Sequence, residues 1–180
     1  MTLNFLANSL SETGDRLGAL EPARRAVEIR ETLAKDNSAA YLSDLAMSLN
    51  SLAIRLSETG DRQGALETAR RAVEIRKTLA RDNPAAYLPY LAGSLNNLAT
   101  FINETGDRQG ALETARRAVE IYQMLAKGDS AAYLSDLAMS FNNLAILLSE
   151  TGDRQGALEP ARRAVEIYQT LAKGDSAAYL

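Results

Sequence analysis

The chain has 180 residues, of which 46% are apolar, and a formal net charge of −3. Its 20 Lys and Arg are spread among 23 acidic residues, so no basic footprint marks it for nucleic acid or acidic lipid, and we expect neither nucleic-acid nor membrane partners. It contains neither Cys nor His, which excludes disulfides and thiolate chemistry, removes the commonest metal ligand and general base, and fits a cytoplasmic protein without metal or cofactor.

The pentapeptide Glu-Thr-Gly-Asp-Arg occurs four times at a constant spacing of 46 residues. A fixed period of this size indicates a repeat array, in which one supersecondary unit stacks on copies of itself. We predict one solenoid over residues 1–180 with four repeats, at 1–42, 43–88, 89–134 and 135–180. The first repeat is truncated at its N-terminus, and the last ends at the start of a further helix.

Each repeat contains, in chain order, a first helix, a tight turn, a second helix and a short link. In the third repeat, Asn83 and Pro84 predict a helix start, and Gly106 a helix end in the left-handed conformation. Asp107 then caps the second helix. The apolar residues at helical spacing are Leu91, Leu95, Leu98, Ala99 and Ile102 on the first helix, and Ala111, Leu112, Ala115, Ala118 and Val119 on the second. The pattern therefore predicts antiparallel helix pairs.

Two second helices contain a proline. Their capping aspartates predict starts near Asp15 and Asp153, which places Pro22 and Pro160 inside them. Each proline then removes one backbone hydrogen bond.

The segment Asn142-Asn143-Leu144-Ala145, followed by Leu148, Gly152-Asp153, Ala157, Ala161 and Ala164, resembles the tetratricopeptide repeat. The resemblance recurs in all four repeats. Since the period exceeds the ~34 residues usual for that family, the chain looks like the longer variety found in kinesin light chains and bacterial signalling proteins. The resemblance implies a right-handed superhelix whose first helices line a concave groove for extended peptides or helices of partner proteins. It implies no catalytic residues.

Each first helix also carries a second stripe, set away from its leucine face. The candidate groove residues on these stripes are Asn4, Asn8, Met47, Asn50, Ser51, Ile54, Asn96, Asn97, Thr100, Asn103, Met139, Asn142, Asn143 and Ile146. Asn is a mediocre helix former, but its amide offers a donor and an acceptor to a peptide backbone. The alternative is that these asparagines bond to one another or to adjacent helices and hold the stack in register. Asn97 and Asn143 are the strongest candidates for peptide contact.

A glutamate also repeats with the period, at Glu12, Glu58, Glu104 and Glu150. If these carboxylates line one edge of the groove, a neutral or basic partner segment suits them better than an acidic one. A solvated edge explains the same pattern equally well.

We expect no enzyme, because nearly every polar residue is a copy of one in the next repeat, and no residue stands out as a nucleophile or base. The leading hypothesis is a protein–protein interaction scaffold that holds a peptide or helix in its groove. The runner-up is a structural module that stacks head to tail through uncapped end repeats. Near-identical repeats also fit recent duplication or design without an evolved ligand.

Overall fold

The computed structural model describes residues 2–178, and the side chains of residues 3–173. Within these residues there are α-helices and connecting segments but no β-strand. The helices are α1 (Thr2–Glu12), α2 (Leu20–Asp36), α3 (Ser38–Glu58), α4 (Arg62–Asp82), α5 (Pro84–Glu104), α6 (Arg108–Gly128), α7 (Ser130–Glu150) and α8 (Arg154–Ala178). The predicted all-α class, built from pairs of helices, is confirmed.

The helices group into two compact units, the first ending at Tyr87 and the second beginning at Leu88. In the first unit, α1 packs on α2 and α3, α2 on α3, and α3 on α4. In the second unit, α7 packs on both α6 and α8. Within their units, α4 and α8 thus contact the first helix of their own repeat, α6 contacts that of the next repeat, and α2 contacts both. Because short turns join the helices of a pair, the two helices run antiparallel.

The repeated glycine ends each first helix, as predicted. The φ angles of Gly14, Gly60, Gly106 and Gly152 are 91°, 89°, 93° and 90°. At Gly60 the backbone N–H donates to the Ser57 carbonyl at 2.9 Å, and the N–H of Asp61 to the Leu56 carbonyl at 2.9 Å. This pair of bonds is the Schellman motif, which satisfies carbonyls that the helix leaves unpaired. The Asp61 carboxylate then accepts from the N–H of Gly64 at 2.9 Å and caps α4.

We predict that Gly106→Ala lowers the free energy of unfolding by about 1–3 kcal/mol, because an L-residue is strained at this positive φ. No atom lies within 4 Å of the added methyl group, so backbone strain alone is measured. Gly128→Ala is the matched control: its methyl also meets nothing within 4 Å, and its φ is not positive. Urea unfolding followed by circular dichroism gives both values, and equal effects of the two substitutions would contradict the assignment.

A single residue joins each second helix to the following first helix. Asn37 accepts a hydrogen bond from the N–H of Ala40 at 3.2 Å, and Asn83 from the N–H of Ala86 at 3.2 Å. Asp129 plays the same part before α7. The predicted cap at Asn83 is confirmed, and a one-residue link leaves little freedom between consecutive helices.

The first repeat departs from the predicted start of its second helix. That helix was expected near Asp15, but α2 begins at Leu20, whereas α4 begins directly after its capping aspartate. Pro22 and Pro160 lie inside α2 and α8, as predicted. Pro22 does not explain the late start of α2, because Pro160 stands at the same place in the fourth repeat and α8 nevertheless begins at Arg154. The Asp15 carboxylate still accepts a hydrogen bond from the N–H of Gly18 at 2.8 Å, like the capping aspartates of the other repeats.

Alanines allow close packing of the second helices. Ala111, Ala115 and Ala118 of α6 are fully buried, as are their equivalents on α4. Among the described helices, α7 is the one long and apolar enough to cross a membrane by length and composition alone. However, 44% of its apolar stretch is buried inside the structure. The packing of α7 between α6 and α8 therefore explains its apolar composition.

Candidate functional site

A buried contact between asparagine and serine joins neighbouring first helices in each unit. In the first unit, Nδ2 of Asn4 donates to Oγ of Ser48 at 3.3 Å. In the second unit, Nδ2 of Asn96 donates to Oγ of Ser140 at 2.6 Å, and Asn96 is only 3% exposed. Both serines are fully buried. These two asparagines therefore hold first helices in register, which is the structural use that the sequence left open.

A buried arginine completes this contact in the first unit. The guanidinium of Arg30, on α2, donates to Oγ of Ser48, so one serine hydroxyl is shared by Arg30 and Asn4. Arg30 itself is buried. A buried charge is costly unless hydrogen bonds compensate it, so we expect substitution of Ser48 to lower the stability of the protein.

Tyrosine replaces this arginine in the third repeat, where Tyr122 is the equivalent of Arg30. Its hydroxyl donates to the Pro89 carbonyl at 3.3 Å and lies 3.3 Å from the place a Cβ would take on Gly93. Gly93 therefore leaves room for the buried phenol of Tyr122 against α5. The second and fourth repeats have the exposed Met47 and Met139 at this position.

A second contact joins the C-terminal turns of neighbouring first helices. Oγ of Ser11 donates to Oε2 of Glu58 at 2.8 Å, and Nδ2 of Asn103 donates to Oε2 of Glu150 at 2.6 Å. Glu58 also forms a salt bridge with Arg55 at 3.1 Å. At Glu58 and Glu150, two of the four repeated glutamates, the carboxylate is thus bound by the neighbouring first helix and is not simply part of a solvated edge.

Between the two contacts lies the surface that we call the α5/α7 surface, made of Asn97, Thr100, Met139, Asn142, Asn143 and Ile146. Asn97 and Asn143 are half-buried, and their side-chain amides make no hydrogen bond to any described residue. Met139 and Ile146 beside them are 44% and 48% exposed. Neutral amides thus alternate with exposed apolar side chains on one face.

The first unit has an open cavity of about 420 Å³ in the corresponding place. Its lining residues are Asn8, Ser11, Glu12, Arg16, Ser51, Ile54, Arg55 and Glu58. Oγ of Ser51 donates to Oδ1 of Asn8 at 3.4 Å across this cavity. We call this lining, together with the exposed Met47, the α1/α3 surface. Arg55 is largely buried there, and its Nε has no hydrogen-bond partner in the structure.

The structure therefore sorts the candidate residues into two groups. Asn4, Asn96 and Asn103 are occupied by neighbouring first helices, and Asn50 also has a partner within the protein. Asn8 and Ser51 likewise bond to each other between α1 and α3. The remaining candidates lie on the α1/α3 or α5/α7 surface, namely Met47, Ile54, Asn97, Thr100, Met139, Asn142, Asn143 and Ile146. Whether these eight bind a partner stays a prediction.

Sequence reasoning missed the serines at this site. Ser48, Ser94 and Ser140 recur every 46 residues and are fully buried inside otherwise apolar helices. A serine repeated every 46 residues directly before a core leucine or phenylalanine was the signal that could have identified them. Over the part of the chain that the structure describes, no group of three or more His, Cys, Asp or Glu side chains could hold a metal ion.

Two family models, each described as tetratricopeptide repeat, match most of the chain: one matches residues 90–170, the other residues 1–40 and 45–85. No curated protein is similar enough to count as a match.

Two solved structures are similar in fold. The crystal structure of BtubC (BKLC) from P. vanneervenii has a TM-score of 0.73 and 23% sequence identity, with 94% of this chain and 63% of that chain covered. The crystal structure of the apo form of RapI has a TM-score of 0.75 and 16% identity, with 98% and 58% covered. This chain thus spans less than two thirds of either structure. At such identities the likeness shows the helical-repeat fold alone.

Proposed function

Because this chain belongs to the tetratricopeptide repeat family, we propose that it is a protein-interaction scaffold whose first helices bind a segment of a partner protein. Members of the family generally act as interaction modules without enzymatic activity. The proposed binding surfaces are the α1/α3 surface of the first unit and the α5/α7 surface of the second, each taking an extended peptide or a helix. The proposal includes no catalysis and no cofactor. It also places the chain in the cytoplasm, because a chain without cysteine forms no disulfides and needs no oxidising compartment.

The observation that carries the proposal is the pair of unpaired amides at Asn97 and Asn143. Asparagine in the middle of a helix costs stability relative to alanine, so its recurrence requires a compensating use. Asn96 has such a use inside the protein, whereas Asn97 and Asn143 do not. Each offers donors and an acceptor that suit the backbone of an extended peptide.

The apolar side chains beside these amides supply the second part of a peptide site. Met139 and Ile146 are exposed large hydrophobic residues on the same helix as Asn143. Methionine adapts to differently shaped partners, and burial of its side chain favours association. Backbone hydrogen bonds and apolar contact together give affinity with little dependence on the peptide's sequence.

The proposed partner segment is neutral or basic. Asn97, Thr100, Asn143 and the neighbouring apolar residues carry no charge, and the nearby Glu150 is an acidic group at one edge. An acidic segment would lie close to this carboxylate without a described cation beside it on α5 or α7.

The test is a binding measurement with peptides selected from a random displayed library on the intact protein. We predict that the double substitution N97A/N143A weakens binding of the selected peptide by about 5- to 150-fold, since the two lost hydrogen bonds are together worth about 1–3 kcal/mol. Calorimetry gives the affinity, and circular dichroism should show a melting temperature that is not lowered, because alanine is the better helix former. Unchanged affinity would contradict the proposed binding surface. Unfolding of the variant would show that these asparagines are structural.

Asn96→Ala provides the matched control, because Asn96 is the immediate neighbour of Asn97 but is buried and bonded to Ser140. This substitution should lower the melting temperature while the folded fraction keeps its peptide affinity. The opposite result for the two neighbours would exchange their assigned roles.

Self-assembly is a second candidate function, and it is favoured by the exposed apolar residues Leu158, Val165 and Tyr168 on α8. It does not exclude peptide binding, since these residues are not part of the α5/α7 surface.

A further inference from the structure

The first helices of the second unit carry negative charge and no positive charge. The charged residue of α5 is Glu104, and those of α7 are Asp136 and Glu150, so neither helix contains Lys or Arg. In α6, by contrast, Lys and Arg outnumber Glu. The face formed by α5 and α7 is therefore electrostatically suited to a positively charged partner segment.

Among the described residues of this face, Asp136 is the carboxylate without a partner. Glu150 accepts a hydrogen bond from Asn103, and Glu104 also interacts within the protein. Asp136 is half-buried, yet it makes no hydrogen bond or ion pair with any described residue. A carboxylate that is partly removed from water and has no cation beside it gains more from an incoming cation than a fully solvated carboxylate does.

An open space lies beside Asp136 because residue 93 is a glycine. Neighbouring first helices are bonded at sequence separations of 43, 44 and 47 residues. By this register, Gly93 on α5 lies next to Asp136 on α7. Among atoms of the other described helices, a methyl group at Gly93 would meet only the Tyr122 hydroxyl within 4 Å, at 3.3 Å. The second and fourth repeats fill the same position with the exposed side chains of Met47 and Met139. We call the space beside Gly93 and Asp136 the Gly93 notch.

A tyrosine lies beside the notch on α5. Tyr90 precedes Gly93 by three residues, which is nearly one helical turn, and it is 57% exposed. The equivalents of Tyr90 in the second and fourth repeats are Asp44 and Asp136, so the tyrosine and the glycine depart from the repeat together. The face of an aromatic ring attracts cations, and a ring and a carboxylate at one place therefore favour the same ligand.

We propose that the Gly93 notch binds an arginine or lysine side chain of the partner segment that lies on the α5/α7 surface. The cationic group pairs with the Asp136 carboxylate and contacts the ring of Tyr90. The unbranched stem of the same side chain occupies the space that methionine fills in the second and fourth repeats. The notch adjoins the α5/α7 surface, since Asp136 precedes Met139 by three residues on α7. This inference rests on the proposed function and names the side chain that the partner contributes.

The test uses the full chain and the tightest peptide selected against it from the random displayed library. We expect this peptide to contain an arginine or lysine whose replacement by glutamine weakens binding about three- to thirtyfold. Asp136→Asn keeps the shape of the side chain and removes its charge, so it should weaken binding of the unmodified peptide by a similar factor. The glutamine-substituted peptide should then bind the D136N variant as well as the unmodified peptide does, as a double-mutant cycle would show.

Two further variants separate the notch from long-range effects of charge. Gly93→Met introduces the side chain that the second and fourth repeats have at this position, and it should weaken binding by filling the notch. Asp44→Asn is the matched control: it removes the same charge at the equivalent position of the first unit, and it should leave the affinity unchanged. Circular dichroism shows whether each variant is folded. If G93M unfolds, D136N and the substituted peptide carry the test by themselves.

Three results would each overturn the notch. They are selected peptides without a basic residue, an affinity that D136N leaves unchanged, and an equal loss of affinity with D44N. If N97A/N143A still weakens binding of the peptide in such a case, the α5/α7 surface stands and only the notch is wrong. If none of these substitutions weakens binding, the proposed surface fails together with the notch.

Discussion

Leu49→Ala is expected to lower the free energy of unfolding by about 2–5 kcal/mol, which would be the largest effect of a single side-chain truncation in the first unit. Leu49 lies on α3 and is 0% exposed, and it is among the largest fully buried side chains of the described chain. Since α3 contacts α1, α2 and α4, the cavity left by truncation is enclosed by helices from both sides. The one-residue and three-residue links on either side of α3 restrict how far α2 and α4 can move to fill it.

Thermal and urea unfolding measure the loss. We expect the melting temperature to fall by more than about 10 °C, given the usual relation between stability and melting temperature for units of this size. Hydrogen exchange should show that protection is lost mainly across Ser38–Glu58. Met47→Ala, two residues away on the exposed side, is the control and should change stability by less than about 0.5 kcal/mol. A small loss for Leu49→Ala would mean that α3 is not the packed centre of its unit.

Ser48→Ala is expected to cost about 2–4 kcal/mol, although it removes a single oxygen atom. The hydroxyl of Ser48 accepts from the buried guanidinium of Arg30 and from the amide of Asn4. Without it, the largely buried guanidinium of Arg30 loses a hydrogen-bond acceptor. The destabilisation therefore comes from Arg30 and not from the size of the deleted group.

A matched substitution isolates the charge. Ser140→Ala removes the equivalent hydroxyl in the second unit, where Asn96 is the donor and the buried arginine is replaced by Tyr122. We expect this loss to be smaller, about 1–2 kcal/mol, because only neutral groups are left unsatisfied. The double substitution R30M/S48A should recover most of the cost of Ser48→Ala, as a double-mutant cycle would show. Equal costs at Ser48 and Ser140, or no recovery, would rule out this electrostatic account.

The course of the backbone was largely predictable because its signals are local. Gly106 and its three equivalents end helices through a positive φ that few other residues adopt. Asn83 and Asp107 begin helices by accepting hydrogen bonds from residues three positions ahead. Such effects act over a few residues of the chain, so the 46-residue period and the helix pairs can be read without any knowledge of packing. The late start of α2 was not predicted from these local signals, and the proline does not account for it, since Pro160 stands at the place of Pro22 and α8 begins directly after its capping aspartate.

The family, the helix pairs and a stripe of polar residues on each first helix can all be inferred from the amino-acid sequence. The part that each residue of that stripe plays depends on tertiary packing. Asn96 and Asn97 are identical neighbours, yet adjacent residues point about 100° apart around a helix, so one is buried against Ser140 and the other faces the open surface. Likewise Val119 and Val165 occupy the same place in their repeats, and only the presence or absence of a covering helix makes one core and the other surface. Local sequence sets the conformation of the chain, whereas the use of a side chain depends on which neighbour the fold brings to it.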